Sequence, residues 1–188
     1  GCRLNQAEIE KYARQLHAAG HELVATSSEA DWVIINTCTV TSAAASDSRG
    51  KIRQAARNAA GQNRDAKIIV TGCWASLQPT QAASLPGVQH VVANPDKDQL
   101  VRDIFGIQSE MFDLEPVARV SVPGAHLRTR AFIKVQDGCD NRCTFCITTL
   151  ARCAGRSRSI REVLADVHAA LKPGEGQARE IVLTGVHL

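Results

Sequence analysis

Apolar residues recur along the first hundred positions in two alternating rhythms, one of helical spacing and one of short unbroken runs. Ile9, Tyr12, Ala13, Leu16 and Ala19 fall on one helical face, and Gly20 supplies a stop. Asn5 ahead of them, with Glu8 three positions later, reads as a capping box. Trp32-Val33-Ile34-Ile35 is an apolar run of the buried-strand kind that ends at Asn36-Thr37-Cys38. A second helix is predicted from Ile52, Ala55, Ala56, Ala59 and Ala60, with Gly61 closing it. Lys67-Ile68-Ile69-Val70 is the next strand, ending at Thr71-Gly72-Cys73. Residues 88–93 read as a third strand, before a helix carrying Leu100, Val101, Ile104 and Phe105.

Buried strands alternating with helices imply a parallel sheet with right-handed crossovers. Residues 1–106 are therefore expected to form a doubly wound, Rossmann- or flavodoxin-like α/β domain. Residues 107–127 lose the periodicity and contain Pro116, Pro123 and Gly124, which reads as a linker. A strand over 131–136, a cysteine-rich loop, a helix capped by Ser159 and Glu162 and a strand over 180–184 then open a second βαβ array within 128–188.

An apolar share of 44% suffices for a core, and no apolar run approaches the ~18 residues of a membrane span. The N-terminus lacks a secretory pattern. It begins Gly1-Cys2 without methionine, and Leu188 follows a predicted strand directly, so both ends read as truncations. A net charge of +3 changes little by itself. Seven cysteines, an odd number with no export signal, argue against a disulfide framework. They place the protein in the cytoplasm and point to metal or catalysis.

The sharper cysteine pattern is Cys139-Asp140-Asn141-Arg142-Cys143-Thr144-Phe145-Cys146. Three soft thiolates on one short loop suit three irons of a cubane and leave the fourth iron open to a small molecule's amine and carboxylate. A zinc site with Cys153 as fourth ligand, or a redox pair, are the competing readings. Cys2, Cys38 and Cys73 are spaced 36 and 35 residues apart, about one βαβ unit each. Cys38 and Cys73 each follow a predicted strand, so they should emerge on the carboxyl edge of one sheet, where open α/β folds bind ligands. Together with Cys2 they could hold a second cluster; the alternative is three ordinary buried cysteines. Arg152, Arg156 and Arg158 suit phosphate, as RNA or cofactor contacts, or else form a solvated basic segment.

The spacing of Cys139, Cys143 and Cys146 resembles that of radical S-adenosylmethionine enzymes, and the two cysteine sets in this order resemble the methylthiotransferases. The wording that carries the resemblance is Gly1-Cys2-Arg3-Leu4-Asn5-Gln6, Asn36-Thr37-Cys38-Thr39-Val40-Thr41, Thr71-Gly72-Cys73 and the stretch from Arg128 to Cys139. It is most similar to the branch that acts on N6-threonylcarbamoyladenosine in tRNA. The resemblance implies that residues 128–188 begin a partial (β/α) barrel. It implies two [4Fe–4S] clusters: one on Cys139, Cys143 and Cys146 that reduces S-adenosylmethionine to a deoxyadenosyl radical, and an auxiliary one on Cys2, Cys38 and Cys73 that supplies methylated sulfur. The target would be carbon 2 of the adenine at position 37, in the anticodon loop. Thr184 and Gly185 would meet the cofactor's amino group and Phe145 its adenine. The implied partners are tRNA and an electron donor such as flavodoxin or ferredoxin, with no membrane. The chain departs from the family at Ile147-Thr148-Thr149-Leu150, where Ile-Pro-Tyr is usual, at Cys153, where glycine is usual, and at Trp74, which replaces a common tyrosine. The remaining barrel strands and an RNA-binding domain are missing, so the chain alone is not expected to complete the reaction.

Overall fold

A computed structural model describes residues 1–61, 65–107, 129–174 and 177–188. In chain order the elements are helix α1 (Arg3–Ala18), strand β1 (Trp32–Thr37), helix α2 (Ser42–Gly61), strand β2 (Lys67–Gly72), helices α3 (Cys73–Leu77) and α4 (Pro79–Ala83), and strand β3 (Val88–Val92). A 3-10 turn (Lys97–Gln99) then runs into α5 (Leu100–Phe105). There follow β4 (Arg130–Lys134), β5 (Gln136–Asp137), α6 (Ile147–Arg152), β6 (Arg156–Ser157), α7 (Ile160–Leu171) and β7 (Glu180–Thr184). These elements divide into two compact units. The first holds Gly1, Val24–Asp98 and Asp140–Cys153; the second holds Cys2–Leu23, Gln99–Cys139 and Ala154–Leu188. The predicted linker 107–127 lies, beyond its first residue, outside the described residues.

In the first unit β1, β2 and β3 form a parallel sheet in that order. The unbroken apolar runs make strands of this kind because a parallel sheet hides both faces. Ile68 and Val70 of β2 pack with Ile52 and Ala55 of α2, Trp74 and Ala75 of α3, and Ala82 and Leu85. Each large side chain so buried contributes about 1.5–3 kcal/mol. The strand order advances in one direction, without the reversal that defines a doubly wound sheet, among the described residues. Helix α2 starts ten residues before Ile52, because Ala43, Ala44 and Ala45 favour helix and the Thr41 hydroxyl accepts from the Ala44 N–H at 3.1 Å.

In the second unit β4 and β7 pair in parallel from Arg130↔Glu180 to Lys134↔Thr184, and α7 lies between them in the chain. Ala131 and Ile133 pack with Ala170, Ala178, Val163, Val167 and Ile181. The capping box is present: Ser159 Oγ accepts from Glu162 N, and Glu162 Oε2 accepts from Ser159 N at 2.9 Å. The predicted strand over 131–136 breaks at Val135, where the chain changes partners. Val135 N still donates to Thr184 O, whereas Gln136 and Asp137 pair antiparallel with β6.

Helix α1 stops as its sequence predicts. Gly20, at φ +89°, lets Gly20 N donate to His17 O and His21 N to Leu16 O, both at 3.0 Å. Its start differs. Cys2, not Asn5, is the N-cap residue, and Asn5 lies within the first turn, where its carbonyl accepts from the Cys2 thiol at 3.1 Å. Glu8 faces Lys134 Nζ at 3.4 Å, and both side chains are almost wholly buried. A buried carboxylate left without its cation would be costly.

Candidate metal centre and cofactor loops

Thr37 and Gly72 are partners in register at the ends of adjacent parallel strands. Cys38 and Cys73 are the next residues of each, so both leave the same carboxyl edge from strands ~4.8 Å apart. The edge is tightly stitched. Thr37 Oγ1 donates to Thr71 O at 2.6 Å and accepts from Ala75 N at 3.1 Å. Gly72 sits at φ +91°, and a Cβ there would overlap the Asn36 side chain and the Thr37 backbone. Cys38 is held through its main chain by Ser48 of α2, whose hydroxyl accepts from Cys38 N at 3.1 Å. Cys73 is buried.

Burial pushes the Cys73 thiol up, and its net direction stays upward. The guanidinium of Arg152 works against this, by its charge and by a hydrogen bond to the thiol, and Asn94 and Lys97 add to the opposition. Asn94 Nδ2 stands 3.8 Å from Cys73 Sγ and donates to Ala151 O at 2.6 Å, while its Oδ1 accepts from Lys97 Nζ at 3.0 Å. Lys97 and Arg152 are 0% and 1% exposed. Arg152 is therefore no part of a solvated basic segment. Arg158 is also taken up internally, by Lys134 O at 2.8 Å and Asp166 Oδ2 at 2.7 Å, which leaves Arg156 as the exposed member of that trio.

In the cysteine loop, Cys146 N donates to Cys143 O at 3.0 Å, and Cys146 is the N-cap residue of α6. The backbone N–H and hydroxyl of Thr149, followed by those of Thr148, hold the Cys146 thiol below its ordinary value. Cys143 and Phe145 are exposed, Phe145 at 89%. Cys153 closes α6 at φ 62°, ψ −157°, a conformation that favours glycine.

Cys2 and Cys139 belong to the second unit. Cys2 is exposed at the head of α1. Cys139 follows Gly138, which is fixed by its neighbours: Asp137 Oδ1 accepts from Gly138 N at 2.9 Å, and Lys134 Nζ lies 3.6 Å from Asp137 Oδ2. Gln136 is the hub of this edge. Its Nε2 donates to Gly138 O at 2.6 Å, and its Oε1 accepts from Val186 N and His187 N at 2.8 and 3.1 Å. The loop before Cys139 is thereby joined to the loop that begins at Thr184 and Gly185. Thr184 is buried at the end of β7, and a Cβ on Gly185 would meet Leu188 Cδ2 at 2.6 Å and Gln136 Oε1 at 3.0 Å.

Among the described residues no group of three His, Cys, Asp or Glu side chains is gathered as a metal-binding set. The donors nonetheless fit an iron–sulfur group. They are soft thiols, the ligand type such groups select, and hydrogen bonds favour the thiolate of Cys146, while burial holds Cys73 toward the protonated thiol. Sequence reading missed Ser48, Asn94 and Lys97, and it gave Gln136 no role beyond its place in a motif.

The uncharacterized protein family UPF0004 matches residues 1–93. The threonylcarbamoyladenosine tRNA methylthiotransferase MtaB of Bacillus subtilis is 37% identical over 196 residues, which cover 100% of this chain and 42% of the relative. MtaB of Rickettsia prowazekii is 37% identical over 193 residues, covering 99% of the chain and 42% of the relative. The tRNA-2-methylthio-N(6)-dimethylallyladenosine synthase of Prosthecochloris aestuarii is 34% identical over 206 residues, covering 98% and 43%. The chain is similar over essentially its whole length to members of the methylthiotransferase family. Within that family it is similar to the MtaB enzymes, and it spans less than half the length of these relatives. Among the described residues no helix is long and apolar enough to cross a membrane.

Proposed function

We propose that the protein of which this chain is part is a tRNA methylthiotransferase that converts N6-threonylcarbamoyladenosine at position 37 to its 2-methylthio derivative. The observation that carries the reading is the pairing of Thr37 with Gly72, which delivers Cys38 and Cys73 from adjacent strands to one edge in a chain similar over its length to MtaB enzymes. Cys139, Cys143 and Cys146 would hold one [4Fe–4S] cluster, and Cys2, Cys38 and Cys73 the other. S-adenosylmethionine bound at the first cluster supplies the means to break an unreactive C–H bond. The residues of this chain prepare the sites. Thr148 and Thr149 favour the Cys146 thiolate, and Asp137 and Gln136 set the backbone before Cys139. Phe145, exposed on its loop, is available to the adenine of the cofactor, and Thr184 and Gly185 to its amino group. Residues 128–188 are read as the opening of a partial (β/α) barrel, for which the parallel β4–β7 pair is the support. tRNA, through its anticodon loop, and a flavodoxin or ferredoxin are the proposed partners, in the cytoplasm.

Mass spectrometry of tRNA nucleosides from the source organism, with and without the protein, tests the reading. Loss of the 2-methylthio derivative with accumulation of N6-threonylcarbamoyladenosine is expected. An unchanged profile would defeat it. The 34% identity to a dimethylallyladenosine synthase supports a second reading, with another methylthiolation substrate; loss of the 2-methylthio group from dimethylallyladenosine instead would favour it.

A further inference from the structure

Helix α2 carries its charges on two separate flanks. Its buried face holds Ser48, Ile52, Ala55 and Ala59. On one side of that face Asp47, the helix's sole acidic residue, pairs with Lys51 one turn on, at 2.9 Å. On the other side Arg49, Arg53 and Arg57 recur at intervals of four and so form a single row. Like charges one turn apart weaken a helix. Arg53 and Arg57 are exposed, and among the described residues no carboxylate meets either of them. The row is therefore left without compensation inside the first unit, although the helix has an acid that serves Lys51 instead.

The position of the row is as telling as its charge. Arg49 lies with its guanidinium carbon 5.8 Å from the ring centre of buried Trp74, the residue after Cys73. Helix α2 leaves the carboxyl edge of the sheet, where Ser48 of its second turn holds Cys38. The arginines thus start beside Cys38 and Cys73 and run away from them for about 12 Å, with about 6 Å between successive members at the rise of an α-helix. Guanidinium forks match phosphate oxygens, and an evenly spaced line of them suits an anion that repeats along its length.

We propose that Arg49, Arg53 and Arg57 form a track for the sugar–phosphate backbone of RNA, which lays the stem beside the target adenine along α2 and brings the base to the edge bearing Cys38 and Cys73. This rests on the reading of the protein as one that acts on tRNA. The contacts are to phosphates, so the track orients the substrate and carries no sequence preference of its own.

The test measures binding of a tRNA carrying N6-threonylcarbamoyladenosine at position 37 to the full-length protein over a range of salt concentrations. The double variant R53Q/R57Q is expected to bind about tenfold more weakly and to lose about two phosphate contacts from the salt dependence. K51Q, which removes the same kind of charge from the paired flank, is expected to bind as the parent does, and R53K/R57K to keep most of the affinity. Glutamine suits an exposed helix position, and equal melting temperatures check that the variants are folded; should the double variant fail to fold, R53Q alone is read for the loss of one contact. Unchanged affinity and salt dependence in R53Q/R57Q would overturn the track alone. An equal loss in K51Q would do the same, by tracing the effect to net charge. Intact tRNA binding with slower reduction by flavodoxin would assign the row to an acidic protein and also overturn it. A parent that binds no tRNA would remove the tRNA reading and this inference with it.

Discussion

Cys153 stands at φ 62°, ψ −157°, the positive-φ residue other than glycine among the described residues. Such a conformation costs of the order of 1–3 kcal/mol with a side chain present. Replacing it with glycine removes that cost, less the 0.5–1 kcal/mol or so that glycine loses in backbone entropy on folding. C153G is therefore expected to stabilise the protein by about 1 kcal/mol, seen as a rise of roughly 2–4 °C in the melting temperature. Iron content should stay unchanged. A loss of bound metal in C153G would instead make Cys153 a ligand, as the zinc reading requires. Gly72 gives the opposite result. G72A forces an L side chain into φ +91° and against the Thr37 backbone, and is expected to cost more than 2 kcal/mol or so in chemical denaturation. At this scale the sequence was legible where one residue decides its own conformation. The stop at Gly20 and the capping box at Ser159 are each local, whereas glycine at position 153 was only what the family resemblance led one to expect. The partners of Cys73 were not legible, since Asn94, Lys97 and Arg152 lie 21 to 79 positions away and carry no spacing that points back to it.

Between elements of the second unit the sharpest electrostatic feature is Asp166 of α7. Burial alone would raise its carboxyl, yet Arg14 and Arg158, at 2.9 and 2.7 Å, hold it below the ordinary aspartate value. A depressed carboxyl contributes stability that is whole above the unfolded value of about 3.9 and is lost as pH falls through the folded value. Urea titrations should thus show a contribution from these ion pairs that is constant with pH near neutrality and falls in acid. D166N should cost about 2 kcal/mol at pH 7 and lose that part of the acid dependence. An acid limb identical in D166N would show that other groups produce it. The helix-to-helix tie from Arg14 to Asp166 spans 152 positions, and neither residue stood out by pattern. Strand positions fared better because unbroken apolar runs state their own burial: β7 has the predicted bounds, and β1, β2 and β3 differ at their ends by a residue or two. Element boundaries that depend on partner exchange, as at Val135, are set by hydrogen bonds that no local run encodes.

Across the whole molecule the six proposed thiol ligands fall into two sets, Cys2, Cys38 and Cys73, and Cys139, Cys143 and Cys146. This arrangement makes the metal count a discriminating measurement. If two independent clusters form, the variant lacking Cys2, Cys38 and Cys73 and the variant lacking Cys139, Cys143 and Cys146 should each retain about half of the iron and sulfide of the reconstituted parent. Only the variant that keeps Cys139, Cys143 and Cys146 should change its spectrum when S-adenosylmethionine is added, because the open iron of that cluster is the proposed chelation point. A single zinc with no acid-labile sulfide would favour a metal-binding module without radical chemistry. Iron that disappears completely when either set is removed would exclude two independent clusters and leave one shared centre. Metal also adds its binding free energy to folding, since the donors must be gathered and deprotonated. Chelation should accordingly lower the melting temperature of the parent more than that of either variant; a fall equal to the parent's in one variant and none in the other would mean that only one of the two sets binds metal in the parent.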